Sequence, residues 1–247
     1  MKPTISPVGD CAISIDFGQV IDPKINRQIR QVIEQIKVLQ LDGIIELVPT
    51  YCALLVQYDA MVYTYSDICR ILDPILQESV TDSVIERVMI VEIPTVYGGE
   101  FGPDLGFVAS YNHISEAEVV SIHSGTDYLV YMLGFIPGFT YLGGMDPRIA
   151  TPRLSSPRTL IPAGSVGIAG EQTGTYPSES PGGWQIIGRT PVTMYDMSKK
   201  QAALLQAGDY VRYVSINENE FHRIKLLGSN YIPSMYEVEV GELRGYK

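Results

Sequence analysis

Between residues 10 and 17 apolar and polar side chains alternate. Cys11, Ile13, Ile15 and Phe17 fall on one side and Ala12, Ser14 and Asp16 on the other. A period of two is that of a half-buried strand. The period then changes. Asp22-Pro23 supplies a capping side chain and a proline for a first helical turn. Ile25, Ile29, Val32, Ile33 and Ile36 follow at helical spacing, so a helix is predicted, with Gly43 as its stop. The apolar runs Ile44–Val48 and Tyr51–Tyr58, separated by Pro49-Thr50, predict a hairpin. Ser66 is placed to cap a second helix through Ile68, Ile71, Leu72, Ile75 and Leu76, kinked near Pro74. Arg87 to Ile93 is again rich in β-formers. Strand, helix, strand, strand, helix, strand is the split βαβ order of a ferredoxin-like α/β sandwich. It assigns residues 1–93 to a first domain and 94–247 to a second, with Tyr97-Gly98-Gly99 at the junction.

The second part reads as mostly β. Ser115-Glu116-Ala117-Glu118 is a capping box, and Val119, Val120 and Ile122 give the apolar face of one helix before Gly125. Tyr128–Phe135, Ser165–Ala169, Trp184–Ile187, Val192–Tyr195 and Tyr210–Ile216 read as strands between turn signals, and Lys199–Leu205 as a short helix. Short strands joined by glycine-rich turns suggest a closed barrel. The fold class is therefore α+β.

The stretch from Gly134 to Pro191 changes the picture. Its 58 residues hold 11 of the 23 glycines and 8 of the 16 prolines. Glycine allows positive φ and close approach, and proline fixes φ. Aromatic and arginine side chains are interleaved with these breakers, which flexible linkers lack. The stretch reads as ordered loops that hold a binding surface. The formal net charge of −10 disfavours a nucleic-acid partner. No apolar run approaches the roughly 20 residues of a membrane span. The first ten residues contain no apolar core of a secretion signal, and three widely spaced cysteines form no CxxC pair, so a reducing cytoplasm is expected.

Candidate chemistry follows from the same stretch. There is no GxxxxGK[ST] and no GxGxxG between a strand and a helix, so nucleotide binding, if present, is non-standard. Gly164, Gly167 and Gly170 suit a closely packed strand or an anion nest. Pro152-Arg153 and Pro157-Arg158 each stiffen the backbone before a guanidinium, and Arg189 sits in Gly188-Arg189-Thr190-Pro191. Such forks suit a carboxylate or phosphate. They equally suit bridges from loop to backbone or to an acidic residue. His123, at the end of the predicted helix, fits a proton carrier or a cation in the helix dipole field. His113 and His222 lie in polar segments, and the histidines make no HxH or HExxH pattern, so no metal site is expected. There is no GxSxG elbow; Ser165 and Ser180 are merely serines near glycines. Trp184 suits a pocket wall or a core position.

These residues resemble a known family. Gly134-Phe135-x-Pro137-Gly138-Phe139-x-Tyr141-Leu142-Gly143-Gly144, the two Pro-Arg pairs, Pro162 to Gly170, Gln172-Thr173-Gly174, Tyr176-Pro177, Ser180 to Trp184 and Gly188 to Pro191 look like the KipI/PxpB family, also called allophanate hydrolase subunit 1 or carboxyltransferase-domain subunit 1. The resemblance implies an N-terminal ferredoxin-like α/β domain and a C-terminal cyclophilin-like β-barrel with a C-terminal extension. It implies the role of the B subunit of an ATP-dependent 5-oxoprolinase, with ATP and Mg2+ at a site shared with a partner. A protein like the C subunit of that enzyme would be the nearest partner, and one like the A subunit would complete the assembly. The alternatives are an inhibitor of a sensor histidine kinase and a subunit related to urea carboxylase. The resemblance points to His123 and Arg158 as catalytic. It points to Arg153, Arg189, Gln172, Thr173, Tyr141, Tyr176 and Trp184 as substrate- or phosphate-binding.

Overall fold

The alternation at residues 12–16 does become a strand, in a sheet it shares with a segment that the sequence pattern did not mark. A computed structural model describes residues 3–77 and 87–245. By internal contacts the chain divides at residues 1–84 and 85–247.

In the first unit, β1 (Thr4–Pro7), β2 (Ala12–Asp16), β3 (Ile44–Pro49) and β4 (Ala53–Tyr58) form an antiparallel sheet of order β1-β2-β4-β3. Strands β2 and β3 flank β4 and are joined by α1 (Pro23–Val38), which is the split βαβ arrangement. Asp22 caps α1 by accepting from the Lys24 amide at 2.8 Å. The helix stops at Leu39, earlier than Gly43. Gly43, at φ +99°, instead turns the chain into β3. The second helix, α2 (Tyr65–Gln77), starts before Ser66. Thr64 and Asp67 cap it reciprocally, with the Thr64 hydroxyl donating to the Asp67 carboxylate at 2.6 Å and accepting from the Asp67 amide at 3.2 Å. Asp67 reaches back to the start of the helix, which Ser66 lacks a partner to do. Pro74 lies inside α2. Ile13, Ile15, Ile29, Ile36, Leu54, Val56, Ile68 and Leu72 form the core of this unit.

The expected fourth strand of the sandwich is not in this sheet. Its edge place beside β2 is taken by β1, in the register Thr4↔Asp16 to Pro7↔Ile13. The segment expected there becomes β5 (Arg87–Tyr97) of the second unit, so the junction lies before residue 87 and Gly98-Gly99 lies within that unit. The reason is burial. Strand β4 alternates, so the first sheet buries one face. Strand β5 is buried at most positions from Val88 to Val96, which requires cover on both faces.

The second unit is built on β5. Its other strands are β6 (Asp127–Leu133), β7 (Thr140–Gly143), β8 (Arg158–Ile161), β9 (Ser165–Ala169), β10 (Gln172–Thr175), β11 (Ser180–Gly182), β12 (Gln185–Arg189), β13 (Tyr210–Ser215) and β14 (Met235–Glu239). The main sheet runs β10-β9-β12-β5-β13-β6-β7, with β14 also on β5, and β8 pairs β11 separately. The end strands β10 and β7 approach each other, so the sheet is nearly a closed barrel. Helices α3 (Leu105–Tyr111), α4 (Glu116–Ser124) and α5 (Glu218–Leu227) accompany it. Helix α4 carries the expected capping box and ends at Gly125. Val192–Tyr195 and Lys199–Leu205 form neither strand nor helix; only Tyr195 bridges to Ala203. Asp196 accepts from the Ser198 amide and hydroxyl at 2.9 and 2.7 Å, a local turn that competes with both. Among the described residues no helix is long and apolar enough to cross a membrane.

A buried ion pair ties this unit together. Arg212 donates to both oxygens of Asp127 at 2.6 and 2.7 Å, and both side chains are under 10% exposed. The Arg244 amide also donates to Asp127, and Arg212 reaches the Tyr236 hydroxyl, which donates to Glu92. Strands β5, β6, β13 and β14 thereby share one network. Removing one partner strands the other charge in a dry site. Arg212→Leu is therefore expected to cost about 3–5 kcal/mol of stability in urea denaturation. Adding Asp127→Asn should recover part of that loss, and a double variant no more stable than the single would exclude the orphaned charge as its cause.

Candidate functional site

Phe139 is the hub of the loop-rich face. It precedes β7 and meets Tyr141, Tyr176 and Trp184 edge-to-face, with ring centroids 5.3, 5.7 and 5.7 Å away. Quadrupoles favour such T-shaped contacts. Ile161, Ala169 and Ile186 complete the cluster. Phe135 stands at the tip of the β6–β7 connection. Its φ is +69°, the Ile136 amide donates to the Gly134 carbonyl across it, and the residue is 65% exposed. A non-glycine residue in this γ-turn conformation is strained.

The arginines take different roles. Arg158, at the start of β8, donates to both oxygens of Asp104 at 2.9 and 2.7 Å, and Asp104 also accepts from the Ile186 amide at 2.6 Å. Arg158 is thus a clamp between β8, β12 and the start of α3. Arg189 donates to the Ala163 carbonyl at 2.9 Å. Arg153 is exposed, lies 6.0 Å from the Trp184 ring centroid, and has no ion pair among the described residues. Its loop is strapped down, since the Leu154 amide donates to Gly183 at 2.7 Å and Gln185 donates to the Pro152 carbonyl at 2.9 Å. Burial pushes the Tyr176 hydroxyl up to about 12, while the Arg153 and Arg158 charges oppose that rise.

His123 belongs to another place. It is fully buried among Tyr97, Tyr128 and Tyr213, in the main core of the unit. Its Nδ1 is 2.8 Å from the Tyr97 hydroxyl and its Nε2 is 2.8 Å from the Thr173 hydroxyl, which donates onward to the Gly167 carbonyl at 3.0 Å. That onward bond fixes the protons. Thr173 must accept from Nε2–H, so Nδ1 accepts from Tyr97. Burial lowers the His123 pKa to about 3. The ring is neutral, so neither a cation in the dipole field nor an acid ready at neutral pH describes it. Gln172 stands beside Thr173 on β10, paired with Ala169.

The structure therefore brings Arg153, Arg158, Tyr141, Tyr176 and Trp184 together, and sets His123 and Thr173 apart in the core. His113 and His222 are exposed. Among the described residues no cluster of His, Cys, Asp and Glu could hold a metal ion. Asp104 was not marked by the sequence, and Tyr97 was marked only as part of the junction. Asp104 follows Gly102-Pro103 in an ordinary turn, and nothing local signals a partner 54 residues away.

The His123 geometry fixes a pH dependence. Its folded pKa lies below the ordinary 6.5, so the unfolded chain binds the proton better. The stability it contributes is full above about pH 6.5 and is lost as pH falls toward 3, by up to roughly 1.4 kcal/mol per unit. Between pH 6.5 and 5, above the range of most carboxylates, a loss of about 2 kcal/mol is expected in urea denaturation. His123→Gln should flatten that slope, and an unchanged slope would assign it to other groups.

With this geometry in hand, comparison with known proteins places the chain. Residues 3–205 match the carboxyltransferase domain, subdomain C and D, family. The chain is similar to the B subunit of 5-oxoprolinase from Bacillus subtilis (strain 168), with 46% identity over 231 residues, 90% of this chain and 96% of that protein. A solved conserved uncharacterized protein from Pyrococcus horikoshii is 48% identical, with a TM-score of 0.53 over 88% of this chain and 100% of that one. The urea amidolyase of K. lactis shares the fold, with a TM-score of 0.77 at 23% identity, over 96% of this chain and 16% of that protein. The resemblance drawn from the loop motifs holds, and the chain belongs to the carboxyltransferase domain, subdomain C and D, family.

Proposed function

We propose that this chain is a subunit of an ATP-dependent 5-oxoprolinase, which hydrolyses 5-oxo-L-proline to L-glutamate together with partner subunits. The observation that carries the reading is 46% identity to the B subunit of a 5-oxoprolinase, across nearly the whole of both chains. A protein like the C subunit of that enzyme is the nearest proposed partner, and one like the A subunit completes the assembly. The exposed, strained Phe135 loop supports a partner surface, since rigid aromatics are enriched at interface hot spots. The proposed barrel is cyclophilin-like in shape; that likeness carries no isomerase activity with it.

The chemistry sets what the chain must supply. A lactam carbonyl is a poor electrophile, and phosphoryl transfer to its oxygen makes the carbon open to water. Charge then gathers on oxygen atoms, which fixed cationic groups stabilise. Arg153 fits that need, being cationic, exposed and unpaired among the described residues. Arg158 serves it indirectly, because its fork is taken up by Asp104. With that carboxylate engaged, the proposed ligands for Mg2+ are the phosphates of ATP and groups of a partner. The fold likeness to urea amidolyase, at 23% identity, supports shared architecture rather than a urea-carboxylating role.

The test is 5-oxoproline-dependent ATP hydrolysis by this chain mixed with the two proposed partner proteins. Turnover by the complete mixture is expected, and its absence would remove the proposal. Within that assay Arg153→Ala should lower turnover at least about tenfold, roughly 1.4 kcal/mol, with an unchanged melting temperature. Arg158→Ala should lower the melting temperature as well, because it frees the Asp104 carboxylate.

A further inference from the structure

Three donor groups near Trp184 have no hydrogen-bond partner among the described residues, and beside them the acceptor Gln185 Oε1 is buried without one. Tyr176 is 2% exposed, and its hydroxyl makes no such bond. Ser180 is 8% exposed and its hydroxyl is buried without a partner. The Arg153 guanidinium lies against the Trp184 ring and makes no ion pair. Buried polar atoms are ordinarily satisfied, so the Ser180 hydroxyl, the one buried orphan of the three, asks for a ligand or water.

The backbone brings the three into one place. Ser180 and Gly182 turn to the same side of β11, with exposed Pro181 between them. A Cβ at Gly182 would run into the Tyr176 hydroxyl and would come within 2.8 Å of the Ile161 side chain, and Ile161 is the strand partner of Ser180. Glycine at 182 therefore leaves the Tyr176 hydroxyl clear. Tyr176 also senses the charges of Arg153 and Arg158. On the other side, Gly183 holds Leu154, the neighbour of Arg153.

The three groups are a guanidinium and two hydroxyls, so all can donate, and Gln185 Oε1 beside them can only accept. Asp104, which Arg158 clamps, is neutralised by that fork. Glu179 is exposed. A donor-rich, cation-bearing surface beside an aromatic ring fits a small anion attached to a flat or ring-shaped body.

We infer that Arg153, Tyr176 and Ser180, around the Gly182–Trp184 segment, form a subsite for a compact oxyanion, the carboxylate or phosphoryl group of a small ligand whose body rests near Trp184. The inference rests on the oxoprolinase reading only for which ligand carries that group. Ser180 is the new member, and Gly182 is the residue that keeps the subsite open.

Trp184 is the only tryptophan of the chain, so its fluorescence reports on the subsite directly. The full chain would be titrated with inorganic phosphate, 5-oxoproline, and 2-pyrrolidinone, the same ring without its carboxylate. A saturable change is expected with phosphate, with 5-oxoproline, or with both, and not with 2-pyrrolidinone. A response to 5-oxoproline alone assigns the carboxylate, and a response to phosphate alone assigns the phosphoryl group. Arg153→Ala should raise the Kd at least tenfold. Tyr176→Phe and Ser180→Ala should each raise it at least threefold, with circular dichroism and melting temperature unchanged. No saturable response of the unaltered chain to either anion would overturn the inference. So would an unchanged Kd in both Arg153→Ala and Ser180→Ala. The two readings fail separately. Binding without turnover in the complete mixture defeats the enzyme and keeps the subsite, whereas turnover without binding does the reverse.

Discussion

The carboxylate of Asp104 receives three donors from two strands: two nitrogens of Arg158 at 2.9 and 2.7 Å, and the Ile186 amide at 2.6 Å. Asp104 stands where α3 begins, yet it makes no capping bond to that helix with its side chain. Its charge is committed to holding β8 against β12. Everything proposed for the loop face depends on that commitment. Ile186 packs in the Phe139 cluster, and Trp184, two residues earlier, gives its carbonyl to Arg158 at 3.4 Å. A charged fork is a directional constraint that apolar packing cannot supply. It sets the level of the Trp184 ring and hence of Arg153 above it.

The same unit buries polar groups in two other ways. Arg212 and Asp127 are both charged, and their network satisfies them with Tyr236 and the Arg244 amide. His123 is neutral and is satisfied by one acceptor and one donor. Both solutions follow from the cost of taking an unpaired polar group out of water. They also divide the work. The ion pair joins the strands around β5, and the histidine joins α4 to β5 and to the β9–β10 hairpin through Thr173. Neither lies among the side chains of the aromatic cluster.

Much of this was legible along the chain. The periods at residues 12–16 and 25–36, the Asp22 cap and the Ser115–Glu118 box are local physics, and they appear as read. The stretch between Gly134 and Pro191 was legible as ordered loops, because only ordered loops combine so many backbone-special residues with large side chains. Several of the errors share an origin. Ser66, Val192–Tyr195 and Lys199–Leu205 were read from propensity, and in each a particular partner decided otherwise. For α2 that partner was the Thr64–Asp67 exchange, and after Val192 it was the Asp196 turn.

The sequence by itself determined most element types, the family and the ordered loops, because these depend on side chains near one another in the chain. Only the tertiary structure decided that β5 belongs to the barrel, since a strand buried on both faces must go where both faces are covered. It alone decided which arginine is left unpaired. Arg153 and Arg158 carry the same Pro-Arg signature, and no local feature separates them. What separates them is a carboxylate 54 residues upstream of Arg158, brought within bonding distance by the packing of β8 on β12.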